Sequence, residues 1–160
     1  MAIAATALAG VAWSAVPAPA ASAATICTWG GTPAAPTGTV TITPGVTNTP
    51  ASGPLRLRAT GELGGGCAGT MTFTGQVDAG SSCAVIQFEG TVKGLPGVDR
   101  FWGPGLFGLV NELLYDKTGN IVGADQPQVL TRDNQPHLTD CATPEGFHGG
   151  TFSSTVELYR

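Results

Sequence analysis

Three consecutive runs between Leu55 and Lys93 change from apolar to polar at almost every residue. Leu55, Leu57 and Ala59 alternate with Arg56, Arg58 and Thr60. Met71, Phe73 and Val77 alternate with Thr70, Thr72, Thr74 and Gln76. Ala84, Ile86, Phe88 and Val92 alternate with Val85, Gln87, Glu89, Thr91 and Lys93. Side chains leave a strand on opposite faces in turn, so a period of two gives each run one apolar and one wet face. A helix of such a sequence would scatter its apolar residues around the axis. Short turns separate the runs, at Leu63-Gly64-Gly65-Gly66 and at Asp78-Ala79-Gly80-Ser81-Ser82. The last two runs read as a hairpin, and the three together as an antiparallel meander with one solvated face.

The same reading extends along the chain. Val40 and Ile42 alternate with Thr39, Thr41 and Thr43 as a short strand. The flanking segments 28–39 and 44–54, rich in Pro, Gly, Thr and Ala, read as extended loop or arm. After the turn Gly94-Leu95-Pro96-Gly97, Val98 to Phe107 reads as a further strand or irregular edge. Leu106, Val110, Leu113 and Leu114 also fit one face of a short helix. Against that, Glu112 to Tyr115 and Asn120 to Gly123 flank Asp116-Lys117-Thr118-Gly119 as a hairpin would. A long polar loop with Pro127, Pro136 and Pro144 leads to a last strand with Phe152, Ser154, Val156 and Leu158 on one face. About eight strands result, the number that closes a small up-and-down barrel. A two-sheet β-sandwich is the alternative. Charged residues make up 11% of the chain against about 25% in typical soluble proteins, and helical bundles need more.

Residues 1–23 are Ala-rich and apolar and end on Ala21-Ser22-Ala23, a small-x-small site. This is the pattern of a cleaved secretory leader, leaving residues 24–160 as one β domain with an extended N-terminal arm. A leader opens on basic residues, yet Arg56 is the first Lys or Arg of the chain. A true start upstream of Met1 accounts for that. A membrane anchor is the competing reading, but Pro17 and Pro19 interrupt the stretch and a spanning helix needs about 20 apolar residues. Export places Cys27, Cys67, Cys83 and Cys141 in an oxidising compartment.

Four cysteines allow three connectivities. With Val77 facing Ala84 across the hairpin turn, Phe73 lies opposite Phe88, and Cys67 sits at the far end from Cys83. Strand rise makes that separation roughly 30 Å, whereas bridged Cα atoms lie about 4.4–6.8 Å apart. The pairing 67–83 is thereby disfavoured. Following the meander favours Cys27–Cys67 with Cys83–Cys141, ahead of 27–83 with 67–141. No CxxC spacing supports a thiolate metal site, and no metal or cofactor is expected.

Chemistry is harder to find. Formal net charge is −4, and seven scattered basic residues form neither a nucleic-acid footprint nor a polybasic membrane patch. His137 and His148 bracket Asp140, Cys141 and Glu145 but match no HExxH spacing. No GxSxG elbow is present. Glu62, Asp78, Glu89 and Asp99 are too dispersed to be paired by spacing. Asp116 to Asn120 lacks the alternating oxygens of a calcium loop. Phe101, Trp102 and Phe107, set among Gly and Pro, are the candidates for rimming a barrel mouth, or else for plugging it as core.

As a small, exported, Gly- and Thr-rich all-β chain with four cysteines, the protein resembles the secreted chromophore carriers related to neocarzinostatin. That family has closely spaced cysteine pairs, and the nearest cysteines here are 67 and 83, so neither ligand nor residues carry over. The expectation is an exported, non-enzymatic barrel that binds a small apolar ligand. Two alternatives are an extracellular interaction or inhibitor module presenting a loop such as 124–150, and a hydrolase or isomerase using His137 or His148.

Overall fold

The computed structural model describes residues 23–106, 109–130 and 139–159. These form a closed antiparallel barrel of eight strands in simple up-and-down order. Two disulfides, Cys27–Cys67 and Cys83–Cys141, staple it as the meander requires.

The first strand, β1, is built in two lengths, Thr25–Trp29 and Gly38–Val46. Both lie between the same two neighbours. Thr25–Trp29 runs beside Leu158–Ser154, and Gly38–Val46 beside Phe152–Phe147. Between them the chain leaves the sheet as a small hairpin, Gly31–Thr32 against Ala35–Pro36. The hairpin is pinched at its base by Thr37 N and Gly38 N, which both donate to Gly30 O, at 2.7 and 3.1 Å. Gly30 takes φ +72°, which side chains resist and the exit from the ladder demands. Segment 28–39, expected as loop, therefore contains the end of one pairing strand, a hairpin and the start of the next length. Its Gly/Pro-rich composition belongs to the hairpin and to the glycines, Gly30 and Gly38, that flank it.

The meander continues with β2 (Leu55–Gly65), β3 (Gly69–Val77), β4 (Ile86–Lys93) and β5 (Arg100–Leu106). Strand β6 comprises Leu109–Val110 and Glu112–Tyr115, and β7 comprises Ile121–Asp125 and Gln128–Leu130. In each, the second length continues the register of the first, apart from a bulge that sets Tyr115 opposite Ile121. The helix that Leu106–Leu114 also fitted is not formed. A 3-10 turn at Asp140–Ala142 precedes β8 (Phe147–Leu158), which pairs with β7 on one side and β1 on the other.

The β3–β4 hairpin is in register four residues away from the expected one. Val77 faces Phe88, not Ala84, and Phe73 faces Val92, not Phe88. Residues 78–85 are held out of the ladder. Ser82 N donates to Val85 O, Cys83 N donates to Thr47 O, and Ser81 Oγ accepts from Gln87 N. The Cys83–Cys141 bridge fixes the same loop to the far side. An even slide leaves every side chain on its face, and Cys67 and Cys83 still lie at opposite ends.

Along β2 to β4 inward positions are apolar and outward ones polar: Arg56, Arg58, Thr74, Gln76, Glu89, Thr91 and Lys93 are all exposed. A barrel lying in lipid shows the reverse arrangement. Among the described residues no helix is long and apolar enough to cross a membrane.

At mid-barrel Gly75 pairs with Gly90, and Gly90 with Phe101. A Cβ on Gly90 would run into the Thr74 carbonyl oxygen and lie 2.8 Å from Phe101 Cε1. Gly90→Ala is therefore expected to lose about 2 kcal/mol through overpacking. Gly53→Ala, with nothing within 4 Å of the added carbon, should stay within about 0.5 kcal/mol of wild type. Urea unfolding of the two variants checks this, and equal stability would show that the ring does not press on the sheet there.

Candidate functional site

A belt of aromatic rings crosses the barrel. Trp29 of β1 meets Phe73 of β3 and Phe152 of β8, each with ring centroids at 4.4 Å. Phe73 stacks on Phe101 of β5 at 4.3 Å, with planes 10° apart. The indole Nε1 donates to the carbonyl oxygens of Gly61 and Met71, at 3.1 and 3.2 Å. Its one polar atom is thus satisfied inside the core. Toward the Cys27–Cys67 end, Met71, Leu95, Val98 and Leu114 pack the interior. Toward the Cys83–Cys141 end the packing is incomplete. A cavity of about 80 Å³ remains, lined by Val40, Ile42, Ala59, Phe88 and Val110 together with Trp29, Phe73 and Phe152 of the belt. A single water needs about 10–15 Å³ on this measure, so the space exceeds ordinary packing defects.

Among the described residues one lining side chain is ionisable, and it is Glu112. Glu112 is 6% exposed and lies opposite Asp125, itself 0% exposed, in the β6–β7 ladder. The two carboxyls lie near enough to act on one another directly. Ser154 Oγ, from β8, donates to Asp125 Oδ1. Glu112 Oε2 and Asp125 Oδ2 have no hydrogen-bond partner. Leaving a buried polar atom unpaired costs about 1–3 kcal/mol, and more for a charged group.

The electrostatics follow from burial. Removal from water disfavours both carboxylates, and the charge of Asp125 further disfavours that of Glu112. Glu112 is held well above the usual carboxylate range, by burial first and by the Asp125 charge second. Asp125 is pushed up to about 7 by burial, against the opposing hydrogen bonds from Ser154, Glu112 and the Gln126 amide. The two titrate as a pair. Burial of both groups favours keeping a proton on the pair at higher pH than on exposed carboxylates. The described basic side chains, Arg56, Arg58, Lys93, Arg100 and Lys117, are all exposed. None of them compensates the pair from inside.

Sequence reasoning missed this pair. It weighed Glu62, Asp78, Glu89 and Asp99, which the barrel leaves outside the cavity lining. The available signal was the 112–125 hairpin, whose register sets Glu112 against Asp125. Leu113 and Leu114 are both apolar, so alternation does not say which of them, and hence whether Glu112, faces inward.

Of the aromatic candidates, Phe101 is buried core. Trp102 points outward and is half-buried. It lines an open groove of about 770 Å³ on the barrel wall, with Arg56, Gln76, Glu89, Arg100 and Tyr115. Phe107 lies outside the described residues, as does His137. His148 is exposed, with Nδ1 3.3 Å from Ile42 O, and does not line the cavity. Of the 124–150 segment, Ala124–Asp125 and Gln128–Leu130 belong to β7, and Cys141 is buried in its bridge. Asp116 spends its oxygens on its own turn. Oδ1 accepts from Thr118 N, Thr118 Oγ1 and Asn120 N, while Oδ2 accepts from Asn120 Nδ2. These bonds hold it well below the usual carboxylate range.

Because folding raises the pKa values of the pair, its contribution favours the fold below about pH 4 and is lost as pH rises through 7. From pH 4 to pH 8 that loss is on the order of 3 kcal/mol. The Glu112→Gln/Asp125→Asn variant should lack this decline and exceed wild type in stability at pH 8. Urea midpoints across that range test it, and parallel curves for the two proteins would contradict it. Comparison of the chain with family models, with curated proteins and with solved structures finds no match.

Proposed function

We infer that the protein is an exported carrier or sensor that holds a small, mainly apolar ligand inside its barrel. The observation that carries this reading is the 80 Å³ cavity beside the aromatic belt, walled by apolar side chains with one carboxyl among them. Binding sites of this kind pair an apolar wall with a few polar groups that set orientation. The volume suits a ligand of about six non-hydrogen atoms, by the same allowance per water. Export is supported by the Ala-rich segment ending on Ala21-Ser22-Ala23 and by both disulfides, which persist in oxidising compartments.

An enzymatic reading has less behind it. His148, one of the histidines in question, sits away from the cavity lining. A carrier needs no more than shape and a polar anchor.

Ala59 lines the cavity and is 7% exposed. Ala59→Leu should fill it, raising stability by on the order of 1 kcal/mol while abolishing uptake of small apolar probes. Native mass spectrometry of secreted protein, with and without added probe, reads the second effect. Unchanged probe uptake by the filled variant would sink the interior-ligand reading.

A further inference from the structure

We propose that the ligand is a hydrophobic amine, whose ammonium group is received by Glu112 while its apolar body rests against the aromatic belt. This rests on the interior-binding reading above and names the chemistry of its ligand.

Two independent observations support it. The first is the composition of the site. Two carboxyls are buried side by side, opposite one another in the β6–β7 ladder, and the described basic side chains all lie outside. A buried negative charge without a counter-charge is among the least favourable arrangements in a protein interior. A cation is the ligand that relieves it. The second is a vacant acceptor. Glu112 lines the cavity, is nine-tenths buried, and carries an oxygen, Oε2, with no partner. Asp125, by contrast, does not line the cavity and is tied to Ser154. Glu112 is therefore the contacting group, and Asp125 with Ser154 positions it.

The rest of the cavity sets what the cation may be attached to. Val40, Ile42, Ala59 and Phe88 offer no hydrogen bonds, so a polyamine or an amino acid would strand its further polar groups. Trp29 and Phe73 also line the cavity, and an aromatic ring attracts a cation brought close to it. A compact alkyl or cycloalkyl amine with a single nitrogen fits both features. Ammonium binding also takes the place of the retained proton, so the pair releases that proton as the ligand enters.

The test compares cyclopentylamine with its neutral isostere methylcyclopentane at pH 8, read by NMR at the interior methyl groups of Val40, Ile42 and Val110. Expected is at least ten-fold tighter binding of the amine. Glu112→Gln should remove that preference, while Glu89→Gln, which neutralises an exposed carboxylate outside the cavity lining, should leave it within about three-fold. Equal binding of the two probes would overturn the amine proposal and leave the apolar cavity standing. Absence of interior shifts with either probe would overturn both. Equal losses in the two variants would show that Glu112 is not the specific contact. If Glu112→Gln does not fold, the amine-to-isostere ratio on wild-type protein decides the matter alone.

Discussion

The pairing of the last strand with the first is the constraint on which the rest depends. Phe147–Leu158 runs beside Gly38–Val46 along one half and Thr25–Trp29 along the other. Its opposite edge is occupied by Ile121–Asp125 and Gln128–Leu130. Closure of this kind leaves no sheet edge open to another chain. It also commits every inward side chain to a common interior. Trp29 faces Phe152 only because the two ends of the chain meet in this register. The same strand delivers Ser154 to Asp125. The aromatic belt and the carboxyl pair are both products of closure.

Within that frame the interior is uneven. The end near Cys27–Cys67 is packed by Met71, Leu95, Val98 and Leu114. The end near Cys83–Cys141 keeps a cavity, and beside it two acids that a fold built for stability alone would replace with apolar residues. Voids and buried, incompletely bonded carboxyls both cost stability. Their coincidence in one place is the physical basis for reading that place as a site. The disulfides offset part of that cost by constraining the unfolded chain, each by about 2–4 kcal/mol.

The barrel was legible because one force wrote it repeatedly. Period-two alternation from Leu55 to Val92 states which residues face inward, and short Gly-rich turns state that successive strands are neighbours. The disulfide pairing followed from the ends at which the cysteines lie. That conclusion survived a four-residue error in the Val77–Phe88 hairpin, since an even slide preserves faces and ends alike. The error itself came from hydrogen bonds that tie the turn to distant residues, Gly80 N to Ala51 O, Ala51 N to Ser81 O and Cys83 N to Thr47 O, which local pattern cannot express. Thr25–Trp29 was obscured because the hairpin at 31–36 lends its composition to the whole segment. Glu112 and Asp125 were illegible for a related reason. The adjacent Leu113 and Leu114 leave the strand's facing undecided, and only tertiary pairing resolves it. Trp102 was noticed for its ring, yet the strand turns that ring outward while its neighbour Phe101 completes the core.

Two acids, Glu112 and Asp125, lie buried opposite one another beside an apolar cavity, where burial favours a retained proton. Carbon-13 NMR of the Glu112 and Asp125 side-chain carboxyls, followed from pH 3 to pH 9, tests this most directly. The account predicts two coupled transitions, with the Glu112 carboxyl still protonated at neutral pH. Independent titration of both groups near pH 4, as for exposed carboxylates, would contradict it.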